Sequence, residues 1–408
     1  MKVLFAVHGT RGDVEPCAAA ARELARRGHE AMLAVPPDLM KLPESVGLTT
    51  YTFGPDSRIQ LDEKYNVWRI GHLIPALRAN KDYLSRGAAQ MSATLKELAR
   101  DVDLLVTGVN FEEVVANVAE AYDIPFAAMH WSPMRPAGHV IPWVPPLVNR
   151  VVSGTVLGVK ALLTRGVDKR QRSELGLPNT AVLPRNALEI QTYDDFFYPG
   201  LANEWRNFNR PFVGPLSLEL PTLADDEVIE WVTSGAPPIY FGFGTLPGRT
   251  MEETIGEISA ACSEIGARGL IYAPGLAEIV HADHVKPVRE MSVARVVPHC
   301  RAAVHHGGWG TTMTGLRAGV PTLILWHGAE QPLFGWHVRR LRVGSSRRLA
   351  GTTRKKLVNK LRAVLSPDCA VRAGRLARRI SSNADSVRRT ADLLEDYAAT
   401  RPGYADPS

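Results

Sequence analysis

Cysteine is scarce in this chain. Cys17, Cys262, Cys300 and Cys369 are the only four in 408 residues, they lie far apart, and no CxxC pair occurs. That spacing argues against a disulfide framework or a thiolate zinc site and fits reduced thiols in a cytoplasmic protein. Long apolar runs are also lacking. No window reaches the roughly 18 uninterrupted apolar residues of a membrane span. The nearest are Val140–Val148, broken by prolines, and Val151–Leu163, broken by Gly154, Gly158 and Lys160; either could rest against a greasy substrate. The apolar start, Met1 to His8, is too short for a signal peptide and reads as a strand. Aromatic residues make up only 7% and do not interleave with the arginines, so the stacking platform of a nucleic-acid binder is missing. No GxSxG elbow is present, which leaves a hydrolase of that type unsupported. His281, His284 and His299 stand at no metal-ligand spacing from carboxylates or thiols.

What is present is an ordinary globular composition, 45% hydrophobic and 22% charged, in a chain long enough for two domains. The net charge of +6 is spread over solvated surfaces and would draw in anionic substrates. Strand-like and helix-like segments alternate: Val3–Val7, Glu15–Arg27, Glu30–Val35, a helix near Ala88–Arg100, then Leu104–Thr107, Phe111–Ala121 and Phe126–His130. Leu183–Gln191 and Phe212–Val213 close the first half. The stretch from Gly214 to Pro238 is rich in Pro, Ser, Thr and Asp and reads as a hinge. The alternation then restarts at Ile239–Gly242. Strands joined by helical crossovers imply parallel, doubly wound sheets. The expectation is α/β: two facing Rossmann-like domains, with the active site in the cleft between them. The first spans 1–214. A linker covers 215–237, the second domain spans 238–385, and a C-terminal helix and tail, 386–408, return to the first.

Three Gly-rich turns sit at strand ends, where open α/β sheets bind ligands. The most informative is Ala303-Val304-His305-His306-Gly307-Gly308-Trp309-Gly310-Thr311-Thr312. An apolar strand runs into three glycines and then a helical pattern, so the free amides of the helix's first turn form an anion site. The first turn of the chain, His8-Gly9-Thr10-Arg11-Gly12-Asp13, places an acid before a helix, either as an N-terminal cap or as a general base. The third, Gly242-Phe243-Gly244-Thr245-Leu246-Pro247-Gly248, lacks GxGxxG spacing and a following acid, which disfavours a nicotinamide site. Glu330 and Gln331 open a late helix. They offer acceptors and donors side by side for sugar hydroxyls, or else an acid that the helix dipole favours. Asp101-Val102-Asp103 precedes an apolar strand and reads as loop polarity. Asp194-Asp195 and Asp225-Asp226 read as solvated loop or cap pairs.

Together these residues resemble the inverting, nucleotide-sugar-dependent glycosyltransferases of the GT-B fold, in particular those of glycopeptide-antibiotic and mycobacterial-type glycopeptidolipid synthesis. The resemblance covers nearly the whole chain. It is carried by His8–Pro16, Glu189–Asp194, Arg210–Gly214, Pro238–Thr245, Cys300–Gly308 and Gly319–Trp326. It implies that Asp13 deprotonates the acceptor hydroxyl, with Thr10, Arg11 and Gly12 near the reacting centre. Thr245, His306, Gly307, Gly308, Trp309, Gly310 and Thr311 would hold the donor diphosphate, and Glu330 and Gln331 the donor sugar. No metal or other cofactor is implied, because helix amides take the role a metal plays in other transferases. Arg289–Val296 falls where the family contacts the nucleotide base.

Bacterial relatives commonly carry Ala where this chain has Trp309, and Asp where it has Glu330. Trp309 could equally be a packing residue, and the segment Tyr272–His281 is short for the mycobacterial-type relatives. The implied reaction moves a hexose or 6-deoxyhexose from a UDP- or dTDP-sugar to a hydroxyl of a lipophilic aglycone, such as a glycopeptidolipid-type lipopeptide or a glycopeptide. The acceptor would lie along Asp56–Met91 and Trp131–Leu163, where Trp68, Trp131 and Trp143 stand among prolines and aliphatics. The rival readings are a sugar-nucleotide 2-epimerase of the same fold and a non-catalytic nucleotide-sugar binder. The expected location is the cytoplasm, with peripheral contact at the inner face of the membrane.

Overall fold

A computed structural model describes residues 1–57, 73–141, 144–179, 187–242, 250–274, 283–328 and 330–400. The chain forms two units, Met1–Leu218 together with Ser381–Ser408, and Glu219–Ile380.

The first unit is built on a parallel sheet of β1 (Lys2–Ala6), β2 (Glu30–Val35), β3 (Thr49–Thr52), β4 (Leu104–Thr107), β5 (Phe126–His130) and β6 (Leu188–Gln191), in the order β3-β2-β1-β4-β5-β6. Val3 to Ala6 are fully buried, as strands covered on both faces must be. The main helices are α1 (Arg11–Arg26), α2 (Leu73–Leu98), α3 (Glu112–Ala121) and α4 (Pro146–Glu174). One core cluster joins Leu4, Phe53, Met91, Leu95, Leu105, Val115 and Phe126.

The second unit repeats the plan. It contains α5 (Asp225–Thr233), β7 (Ile239–Gly242), α6 (Met251–Glu264), β8 (Gly269–Tyr272), β9 (Val285–Val288), β10 (Ala302–His305), α7 (Trp309–Arg317), β11 (Thr322–Trp326), α8 (Gln331–Arg340), β12 (Gly344–Arg348), α9 (Arg354–Val364) and α10 (Pro367–Ala377). Its sheet runs β12-β11-β10-β7-β8-β9, all parallel. Both sheets share one topology: three strands wind outward, then the chain returns beside the first strand and winds the other way. The reversal falls between β1 and β4 in one sheet and between β7 and β10 in the other, and such switch points are where ligands bind.

The division of the chain differs from the linker expected over 215–237. The boundaries fall at Leu218/Glu219 and Ile380/Ser381, and α5 belongs to the second unit. The reason is Asp225, which is fully buried rather than solvated. It accepts from Thr222 N and Oγ1 at 2.9 and 2.7 Å and from Ser292 N at 2.7 Å, pinning α5 to the loop after β9. Asp226 is the solvated member of that pair. Asp194 is buried as well, and it receives the Ser381 amide at 3.3 Å where the chain re-enters the first unit. The last helix, α11 (Asn383–Thr400), then packs on α1. Arg27 reaches Asp392 and Glu395 there, each at 2.7 Å.

Buried charge ties β5, β6 and α3 together. Arg135 pairs with Glu112 and, at 2.9 Å, with Glu189, which also holds Arg210 at 2.6 Å. Burial pushes the Glu112 carboxyl up, but His130 at 3.3 Å and then Arg135 outweigh it, so the net direction is well below the usual carboxylate range. Among the described residues, no single helix is long and apolar enough to cross a membrane.

Candidate active-site turns

The N-terminal turn is organised around one carboxylate. After β1 the chain passes through Gly9 at φ +141, a left-handed conformation that glycine tolerates. A Cβ there would stand 2.3 Å from Asp13 Oδ2 and 2.8 Å from Asn110 Nδ2, so glycine alone lets the carboxylate lie against the backbone. Thr10 caps α1, and its N–H and Oγ1 donate to Asp13 Oδ2 at 2.8 and 3.1 Å. Trp131 Nε1 donates to Oδ1 at 3.0 Å and Asn110 Nδ2 at 3.4 Å. Asp13 follows β1, Asn110 follows β4 and Trp131 follows β5, so three adjacent strand ends converge on one half-buried acid beside the switch point. Asp13 therefore stands inside α1, not ahead of it: Thr10 is the N-cap and Asp13 is the acid of its capping box, with two side chains added that such a box does not need. Neither added partner was assigned from the sequence, where Trp131 was placed among acceptor contacts. The usable signal was its place directly after an apolar strand adjoining the switch point. Arg11 is exposed and pairs with Glu15 at 2.8 Å; Gly12 is also exposed.

The second unit presents the His-Gly-Gly turn. His305, at the end of β10, is fully buried, registers against Gly242 of β7 and Ile324 of β11, and accepts from Gly307 N at 3.0 Å. Burial, then its neighbour His306, lowers His305 to about 3, so it is a neutral clamp on the turn. Gly307 has φ +94, and a Cβ on it would stand 2.7 Å from Ile324 Cγ2. A Cβ on Gly308 would meet His306 Nε2 at 2.7 Å, which places the His306 ring against the turn. Burial lowers His306 too, opposed by a hydrogen bond with the Gly242 backbone and by the charge of Glu330. Burial and His306 likewise lower His327.

Helix α7 starts here with Gly308 as its cap, no side-chain cap and no acid in its first turn. By contrast α1 carries Asp13 and α6 carries Glu252 and Glu253 in their first turns. The first intrahelical bond runs from Thr312 N to Gly308 O, so the amides ahead of it have no helical acceptor. Their positive field is left for an anion from outside the helix. Gly310 is exposed and Thr311 half-buried. Trp309 packs on Phe334 with ring centroids 4.9 Å apart, as a packing residue would.

The carboxamide–carboxylate pair is only partly available. Gln331 is buried, and its Oε1 accepts from His327 N at 2.8 Å, closing the loop after β11. Glu330 is half-buried at the cap of α8. Thr245 lies outside the described residues, as do Trp68, Trp143 and His281. His284 meets Ser259 at 3.2 Å, and among the described residues no group of three or more His, Cys, Asp or Glu is placed to hold a metal ion. Asp103 accepts from Lys2 N at 2.7 Å, a contact at the start of β1.

The comparisons with known proteins agree with this architecture. Residues 3–140 match the glycosyltransferase family 28 N-terminal domain, and 272–389 match the C-terminal domain of erythromycin biosynthesis protein CIII-like proteins. An uncharacterized glycosyltransferase of Mycobacterium leprae is 46% identical over 421 residues, covering 100% of both chains. The sterol 3-beta-glucosyltransferase UGT80B1 of Arabidopsis thaliana is 25% identical over 97% of this chain and 68% of its own. Among solved structures, the calicheamicin glycosyltransferase CalG4 superposes with a TM-score of 0.71 at 18% identity, covering 98% of each chain. The spinosyn rhamnosyltransferase SpnG complexed with thymidine diphosphate gives 0.65 at 16%, covering 95% of this chain and 99% of that one.

Proposed function

Because this chain belongs to the GT-B glycosyltransferases, we propose that it transfers a hexose or 6-deoxyhexose from a UDP- or dTDP-sugar to a hydroxyl of a lipophilic acceptor, with inversion and without a metal. The C-terminal unit takes the donor and the N-terminal unit supplies the base. The acceptor oxygen attacks the anomeric carbon as its proton passes to an Asp13 oxygen. The bond from that carbon to the diphosphate oxygen breaks, and the nucleoside diphosphate leaves with the electron pair. Its growing charge falls on the amides of Gly308 to Thr311 and on His306, fixed donors that need no reorganisation. Glu330 grips sugar hydroxyls, with the Gln331 amide beside it. Asp13 then returns its proton to solvent.

The observation that carries this reading is the Asp13 carboxylate, held by side chains from three strand ends. A carboxylate has about four lone-pair positions, and the donors that meet it include Thr10 N and Oγ1, Asn110 Nδ2 and Trp131 Nε1. The Asn110 contact, at 3.4 Å, is the longest and is the one an incoming hydroxyl replaces. The Trp131 indole stays and keeps the carboxylate aimed. Trp131→Phe is accordingly expected to lower kcat about tenfold with the donor KM unchanged, the cost of one hydrogen bond to a charged group. An equal rise in KM would instead mark Trp131 as a binding contact.

Support for a thymidine-diphosphate donor comes from the complex of SpnG with thymidine diphosphate. An apolar acceptor is supported by the sterol substrate named for UGT80B1. Thermal shift against UDP-, dTDP- and GDP-sugars tests the donor half directly. The correct donor at 100 times its dissociation constant is expected to add about 2.7 kcal/mol of apparent stability. Equal stabilisation by the bare nucleotide would remove Glu330 and Gln331 from the sugar site.

A further inference from the structure

Helix α4 has its polarity reversed. A helix covering a core turns its apolar stripe inward, yet the side chains α4 buries in its first part are Asn149 and Ser153. Asn149 is locked to Ile141, accepting its N–H at 3.1 Å and donating to its carbonyl at 2.8 Å. Ser153 donates to the Ala137 carbonyl at 3.2 Å. The outward side chains are aliphatic. Leu147 is 83% exposed, Val151 67%, Val156 63% and Leu162 68%. Seven of the eleven large apolar side chains exposed among the described residues stand on this one helix. Such concentration is beyond the scattered apolar exposure normal for a soluble surface.

The exposed charge on the same helix is mostly basic, Glu174 being its exposed acid. No acidic residue occurs between Pro146 and Val167. Arg165, Lys169 and Arg170 are exposed, whereas Asp168 is turned to Asn117 at 2.8 Å and Glu174 is paired with Arg170 at 2.9 Å. The second part of the helix is anchored by Arg172, which meets Glu120 and Asn117, each at 2.7 Å, and by Gln171 to the Val114 carbonyl at 3.0 Å. The parts Pro146–Val159 and Thr164–Glu174 meet at 57°. One part is thus fixed to the unit while the other presents aliphatics outward.

We propose that α4 is a membrane-docking element that lays its first part in the interfacial layer of a bilayer carrying anionic lipids. The aliphatics from Leu147 to Leu162 enter the acyl boundary, and Arg165 and Lys169 meet the headgroup charge. Apolar burial combined with basic residues is the combination that holds interfacial helices, and it separates a bilayer from a second copy of this basic chain. The inference is independent of the donor and of Asp13.

Co-sedimentation of the full chain with vesicles containing phosphatidylglycerol, and with vesicles of phosphatidylcholine alone, tests it. The wild type is expected to pellet with the first and far less with the second, with binding falling as salt rises. V151E/V159E is expected to reduce partition at least about tenfold. R165A/K169A is expected to lose about fivefold per charge removed at low salt. Should V151E/V159E fail to fold, R165A/K169A carries the test, since both side chains are exposed. Equal pelleting of wild type and both variants, or none with either vesicle, overturns the proposal. So does light scattering without lipid that shows a dimer dissociated by V151E/V159E, which would make the occupant a second copy.

Discussion

Asp13→Asn is expected to lower kcat by about 10²- to 10⁴-fold, the range a positioned general base supplies, while thermal stabilisation by donor stays at the wild-type value. The two halves of that outcome have separate physical sources. Asparagine is nearly isosteric and keeps an oxygen for Thr10 or Trp131, so the α1 cap and the Gly9 approach survive. What it cannot do is take a proton. In the proposed reaction donor affinity is assigned to the α7 turn, and Asp13 belongs to the other unit. Initial rates over a range of acceptor concentrations, with thermal shift on the same samples, measure both. Wild-type turnover in the variant would end the base assignment. Loss of donor stabilisation together with turnover would show that Asp13 serves folding or donor binding instead.

The largest expected effect on stability belongs to Arg135→Met. Methionine fills much of the arginine volume but removes a guanidinium shared by Glu112 and Glu189, both buried. Breaking a buried ion pair on one side costs roughly 3–5 kcal/mol, because the remaining carboxylate stays desolvated without its partner. Glu189 keeps Arg210 and Glu112 keeps His130, which moderates the loss toward the lower end. The pH dependence gives an independent reading. Glu112 titrates lower in the folded chain than in the unfolded one, where glutamate sits near about 4.3. Its contribution is therefore complete above that value and is lost as the pH falls below it. In Arg135→Met the folded Glu112 starts from a higher position, so the decline over the same acid window is shallower. Urea denaturation at neutral pH and at a series of pH values below about 4.3 checks both the offset and the slope. Identical slopes would place the acid sensitivity in other carboxylates.

The residues that define the sheets' interiors were readable because burial on both faces leaves a continuous apolar run. Val3–Ala6, Leu104–Thr107, Phe126–His130 and Ala302–His305 all declared themselves in this way. The strands that escaped notice are β3, Thr49–Thr52, and β12, Gly344–Arg348, and each is an edge of its sheet. An edge strand has one neighbour and need not be apolar, so Gly-Ser-Ser-Arg-Arg carries no strand pattern. Its glycine is nevertheless structural, since a Cβ on Gly344 would stand 1.8 Å from the Thr322 carbonyl oxygen. The Gly-rich turns were legible for a similar reason. Close approach demands glycine locally, so the requirement is written at the position itself. Long-range partners left no such mark. Asn110 and Trp131 lie 97 and 118 positions from Asp13, and only the strand order brings them to it. The solvated reading of Asp225 failed in the same way, because its partner Ser292 is 67 positions away. The apolar runs of α4 were read as too interrupted to span a membrane, and among the described residues no single helix is long and apolar enough to do so.

The return of α11 to the first unit sets the order in which the protein can be completed on the ribosome. Residues up to Leu218 leave the exit tunnel first, yet the surface of α1 that α11 covers stays open until the last segment is made. All of Glu219–Ile380 is translated in between, on the order of ten to thirty seconds at about 5–20 residues per second. The later unit thus has every residue it needs before the earlier one does, and a nascent chain stalled before Ser381 carries a finished second half beside a first half still missing its closing helix.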